Sequence, residues 1–241
     1  MTDSFQLAEL PDKVYRASKF KDAWKRKQPD RGFSPSTSRY DDPLGSYGTI
    51  YAASTRYDAY VALLATFRPR PGLDLGSIIE ENDDDLAGTG HSSDAVKTWL
   101  SKHYIGEATL QGNFVDLTDE TTVAILSIKL PSTRVGVERL TVAYLRKALR
   151  NVTMEISRYL YEYEIRFGEH YDGLSYRSRL FDGSIRRWAI YDEPSQVLKD
   201  NFSIAIDLND PELVRALHDC GVTRADSEEN FSLVRALPAK P

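Results

Sequence analysis

The chain has 241 residues, 41% hydrophobic and 28% charged, with a net charge of −5 and a mean hydropathy of −0.44. No apolar run approaches the ~18 residues of a membrane span, and the N-terminal segment lacks the basic start and apolar core of a secretory signal, so a cytoplasmic protein is expected. One cysteine, Cys220, excludes an internal disulfide framework and a cysteine-rich zinc site, and the acidic balance argues against direct nucleic-acid binding.

Residues 12–18 predict a short strand with Val14 and Arg16 on one face and Tyr15 on the other. Lys19, Lys21, Lys25, Arg26, Lys27 and Arg31 follow; they read as a solvated helix face or as a phosphate-attracting rim near Arg16. Residues 29–47, rich in Pro, Ser, Asp and Gly, predict an extended loop. A second strand is expected over 48–54. A helix is expected over 56–67, where Tyr57, Tyr60, Val61, Leu64 and Phe67 recur at helical spacing, and Arg68-Pro69 ends it.

The acidic run at 80–95 has no apolar period and predicts a surface loop; it also lacks the ligand spacing of a calcium loop. A short amphipathic helix is expected over 94–101, and a strand running into a helix cap over 114–118. The apolar stretch 123–130 fits either helix or strand. Residues 137–166 predict one long helix, with Leu140, Tyr144, Leu145, Leu149, Val152, Ile156, Leu160 and Tyr163 on one stripe. Strands at 173–178 and 186–192 flank a turn at 181–184; a helix over 211–220 and a strand over 231–236 close the chain. Strands and helices interleave without regular βαβ spacing, so the expected class is α+β.

Familiar chemistries find no anchor. There is no phosphate-binding Gly-x-x-x-x-Gly-Lys loop, no Gly-x-Gly-x-x-Gly and no Gly-x-Ser-x-Gly elbow. The four histidines lack metal-site spacing; His170 alone stands beside a candidate turn, and no metal is expected. What remains is a set of arginines, tyrosines and serines. Guanidinium forks suit a pyrophosphate, aromatic rings suit a flat base, and a carboxylate would complete a site that stabilises a cationic sugar.

Several motifs occur in a fixed order. They are Val14-Tyr15-Arg16-Ala17-Ser18, then Ser38-Arg39-Tyr40 with Arg31-Gly32-Phe33 as a second candidate, then Gly48-Thr49-Ile50-Tyr51-Ala52-Ala53 and the helix ending Phe67-Arg68-Pro69. Phe114-Val115-Asp116-Leu117-Thr118, Asp172-Gly173-Leu174-Ser175-Tyr176-Arg177-Ser178-Arg179 and Trp188-Ala189-Ile190-Tyr191 follow. In this order they resemble the RES-domain family, named for an arginine, a glutamate and a serine. The resemblance spans about residues 12–195 and implies one domain over 1–241, with insertions near 72–110 and 131–166.

The resemblance implies an ADP-ribosyltransferase-like mixed-sheet core with flanking helices. It implies NAD as substrate and a toxin of a bacterial toxin–antitoxin pair, with an antitoxin of helix-turn-helix type as partner. Arg16 and Arg39 would grip the pyrophosphate or the nicotinamide ribose, Tyr51 would pack on the nicotinamide, and Ser178 would orient the ribose or carboxamide. Counting from Tyr51 and from Phe67 places Ala62 where the family carries its catalytic glutamate. Natural divergence and an introduced Glu→Ala change both fit that alanine. The expected reaction is cleavage of the nicotinamide–ribose bond, impaired by Ala62. The alternatives are ADP-ribose transfer to a protein acceptor and a non-catalytic NAD-binding or interaction module.

Overall fold

The computed structural model describes residues 4–25, 38–42, 45–67, 93–163, 168–180, 184–191, 194–224 and 231–233. The motif candidate Arg31-Gly32-Phe33, the helix stop Arg68-Pro69, most of the acidic run and the turn residues 181–183 lie outside the described residues. Seven strands form one mixed sheet, in the order β4-β5-β6-β2-β1-β3-β7. They are β1 (Val14–Ser18), β2 (Thr49–Ala53), β3 (Tyr104–Leu110), β4 (Phe114–Asp116), β5 (Gly173–Arg177), β6 (Arg186–Tyr191) and β7 (Leu198–Ala205). Only β4–β5 is parallel; the other neighbours are antiparallel. A separate hairpin pairs β8 (Val222–Arg224) with β9 (Phe231–Leu233). The architecture is mixed α and β, compatible with the α+β class.

Strand alternation divides the core. On one face, Tyr51, Leu174, Tyr176, Ala189 and Tyr191 meet residues of α3 (Glu120–Lys129), α5 (Val142–Lys147) and α6 (Arg150–Tyr161). Farther along the same face, Ala17, Ala53 and Ile105 pack under α1 (Arg56–Leu64), α2 (Ser93–Leu100) and α8 (Pro211–Asp219). The other face carries Val14, Ile50, Ala52, Trp188 and Ile190, covered by Trp24 and by Val197 of the short α7 (Pro194–Val197). The short α4 (Ser132–Val135) ends on Gly136 in the left-handed region.

The strands expected at 12–18, 48–54, 173–178 and 186–192 and the helices expected at 56–67, 94–101 and 211–220 are present with small changes at their ends. The stretch 123–130 belongs to helix α3, whose cap is Asp119 accepting from the Thr122 amide. The long helix expected over 137–166 is not formed. Helix begins only at Val142 and breaks at Ala148 and Leu149, both with extended ψ. The reason lies in the carbonyls at the break. Arg39 Nη2 donates to Leu145 O at 2.7 Å, and Arg179 donates to Arg146 O at 3.0 Å and to Ala148 O. Guanidinium groups from elsewhere in the fold satisfy acceptors that a continuous helix would give to its own amides. Leu149, expected on the buried stripe, is consequently exposed.

Gly173 illustrates how tightly β5 and β6 pack. A Cβ there would collide with the Ala189 carbonyl oxygen and lie 2.8 Å from the Phe114 ring. Gly173→Ala is expected to destabilise by about 1–3 kcal/mol, read as a lowered thermal midpoint. The Asp116-Leu117-Thr118 motif serves the same region as a brace. Asp116 pairs with Arg186 Nη2 at 2.5 Å, and Arg186 Nε donates to Ser175 Oγ at 2.9 Å, tying β4, β5 and β6 together.

Candidate functional site

The sheet opens at one seam. β1 pairs with β2 at the single position Tyr15↔Ala53, whereas β1 with β3 and β2 with β6 each pair along whole strands. Helix α1 crosses this seam and roofs a cavity of about 220 Å³, counted with its open mouth. Its walls are Tyr15, Arg16 and Ala17 of β1, Tyr51 and Ala53 of β2, Ala59, Ala62 and Leu63 of α1, and Arg187 of β6.

Three residues selected from separate motifs, Arg16, Tyr51 and Ala62, therefore line one cavity. Arg16 is half-buried, with Nε and Nη1 shielded from solvent. The Tyr51 hydroxyl donates to Asp41 Oδ1 at 2.9 Å and accepts from the Tyr40 amide at 2.9 Å. Burial, reinforced by Asp41, holds that phenol far above its ordinary pKa, so it stays neutral. With its hydroxyl anchored, Tyr51 offers the cavity an aromatic ring fixed in orientation.

Arg39 and Ser178 are not among the lining residues. Arg39 is buried beneath the tyrosine cluster, its guanidinium 5.3 Å from the Tyr40 ring centre and 5.8 Å from that of Tyr176. Ser178 is fully buried at the end of β5, where its Oγ accepts from the Leu180 amide at 3.2 Å. His170 is exposed and pairs with Asp172. Among the described residues no cluster of three His, Cys, Asp or Glu side chains is placed to hold a metal. No described helix is long and apolar enough to cross a membrane.

Arg187 was not singled out from the sequence. It is 3% exposed and stands opposite Ala53 on the sheet face that carries Ala189 and Tyr191. An arginine on an otherwise apolar strand face is the available signal, since a charge is rarely buried without a task. The face to which it belongs becomes evident only once β6 is placed beside β2.

The α1 wall is held rigidly against α8. Tyr60 donates to Asp210 at 2.8 Å, Arg56 pairs with Asp210 at 3.3 Å, and Tyr57 donates to Asp219 at 2.7 Å. The Tyr57 and His218 hydrogen bonds hold the Asp219 carboxyl below its ordinary pKa. Its stabilising contribution is therefore present above the ordinary carboxylate range and is lost as pH falls through the depressed value. Tyr57→Phe is expected to cost about 1 kcal/mol at neutral pH, a drop of roughly 2–4 °C in Tm. The gap between the two proteins should close in acid as Asp219 protonates, which melting curves across pH would show.

No family model matches the chain, and no curated protein or solved structure matches it. The case for a site is carried by the residues that meet at the seam.

Proposed function

We propose that the chain is an NAD-cleaving protein acting at the nicotinamide–ribose bond, the toxin of a bacterial toxin–antitoxin pair, with its rate held down by Ala62. The observation that supports this is the convergence of Arg16, Tyr51 and Ala62 on one cavity, beside the buried Arg187. The enclosed part of the cavity is about 10 Å³, room for about one water and far below the ~300–1,000 Å³ of a site that encloses a small molecule. The flat nicotinamide end would therefore rest at the open mouth over the seam, with the remainder of the dinucleotide outside it. The Tyr51 ring would pack on the nicotinamide. Arg16 and Arg187 would set positive charge beside the carboxamide oxygen or a phosphate.

Nicotinamide release from NAD, followed by chromatography for this chain and for Ala62→Glu, tests the reading. Release by the glutamate variant is expected; no release by either protein sinks the enzyme reading. Label from NAD that ends on a protein band would make the chemistry ADP-ribose transfer. A second reading is favoured by Ala62 itself: a module that binds NAD without turning it over. Saturable binding of NAD with no product from either protein would select it. The proposed partner is an antitoxin that covers the mouth of the cavity.

A further inference from the structure

Helix α1 carries a carboxylate beside the cavity that the resemblance does not use. At about 100° per residue, Ala59, Ala62 and Leu63 form the arc facing the cavity, and Asp58 falls about 40° outside Ala62, one turn earlier. Side chains four apart on a helix face are neighbours, with Cβ atoms about 5–6 Å apart. Asp58 is half-buried, and the Arg187 that lines the cavity interacts electrostatically with it. Its other charged neighbours are Arg215 and Glu212 of α8, and Thr55 hydrogen-bonds to it at the helix start.

Resting on the NAD reading above, we infer that Asp58 supplies the acidic group of this site in place of the glutamate absent at position 62. In the step it serves, the bond between ribose C1′ and the nicotinamide ring nitrogen breaks. The nitrogen keeps the electron pair, so nicotinamide leaves neutral. The carboxylate faces the cationic sugar while a water oxygen forms the new bond to C1′. The proton released by that water passes to Asp58 and then to solvent, leaving ADP-ribose.

Burial raises the Asp58 pKa above its ordinary value, partly countered by Thr55, Arg187 and Arg215. Such a shift brings a carboxylate nearer to a proton acceptor's useful range. Asp58 also occupies the first turn of α1, where its backbone amide donates to Thr55 Oγ1 at 3.1 Å. A purely structural role at the helix start is therefore the competing explanation, and the test has to separate the two.

Asp58→Asn and Asp58→Glu are made in this chain and in the Ala62→Glu background, with nicotinamide release, NAD affinity and Tm measured for each. In this chain Asp58→Asn is expected to lower the release rate at least about 10-fold with NAD affinity retained, and Asp58→Glu to restore part of it. In the Ala62→Glu background the same substitution should lower the rate by a smaller factor, because residues serving one step are not additive. Equal factors in both backgrounds, matched by a fall in Tm, would make Asp58 a helix cap and overturn the inference. It is equally overturned if Ala62→Glu turns over NAD and this chain does not. Both of those results leave the NAD reading standing, whereas failure of every variant to bind or cleave NAD overturns the two together.

Discussion

Ala62→Glu is expected to raise nicotinamide release from NAD by about 10²–10³-fold, the range that one well-placed group contributes to stabilising a transition state. Ala62 is half-buried in the cavity wall on a helix fixed at Asp210 and Asp219, so a longer side chain there would extend toward the open mouth rather than displace the helix. Arg16 and Arg187 share that cavity, and opposite charge nearby favours the ionised carboxylate. Ala62→Gln supplies nearly the same shape without the charge and should stay near the starting rate. Equal gains from Glu and Gln would show that filling space, rather than charge, controls the rate, and would remove the carboxylate from the mechanism.

How far the sequence reached depended on whether an element carries its own signal. β1, β2, β5 and β6 pair β-forming residues with clear boundaries, and α1 and α8 show apolar periods and capping residues, so local physics suffices for each. β7 is different. It is mostly exposed and includes Lys199, Asp200 and Asn201, so no apolar alternation marks it; it is a strand because β3 offers it an edge. β3 itself, in a span read as insertion, proves internal to the sheet between β1 and β7.

The candidate cavity was legible only in part: Arg16, Tyr51 and Ala62, drawn from separate motifs, line it together. Arg187 and Asp58 were not, because their relevance comes from pairing β6 with β2 and from the packing of α1 over the seam. The long helix over 137–166 failed for a related reason. Its apolar stripe is genuine, but the carbonyls that break it are claimed by arginines from distant segments, and no local pattern announces that.

Arg39→Ala is expected to act on stability and to leave the chemistry largely intact. The Arg39 side chain donates to Leu145 O and lies close to the Tyr40 and Tyr176 rings, while its own carbonyl accepts from Thr153 Oγ1. Removing it strips a buried carbonyl of a donor and two rings of a cation, and leaves space in the core. About 3 kcal/mol is the expected loss: Leu145 O keeps the Ala148 amide at 3.2 Å, so the charged hydrogen bond itself accounts for roughly 1.5–3 kcal/mol and the ring contacts for most of the remainder. For a chain of this length that corresponds to a Tm lower by about 6–12 °C. Arg16→Ala makes the contrast. Arg16 lines the cavity and Arg39 does not, so NAD affinity should fall well before Tm does. The two measurements together decide which arginine serves the ligand. If Arg39→Ala kept its Tm and lost NAD binding, the guanidinium buried beneath Tyr40 and Tyr176 would have to reach the ligand through a rearrangement of the tyrosine cluster, and the cavity at the seam would be only part of the site.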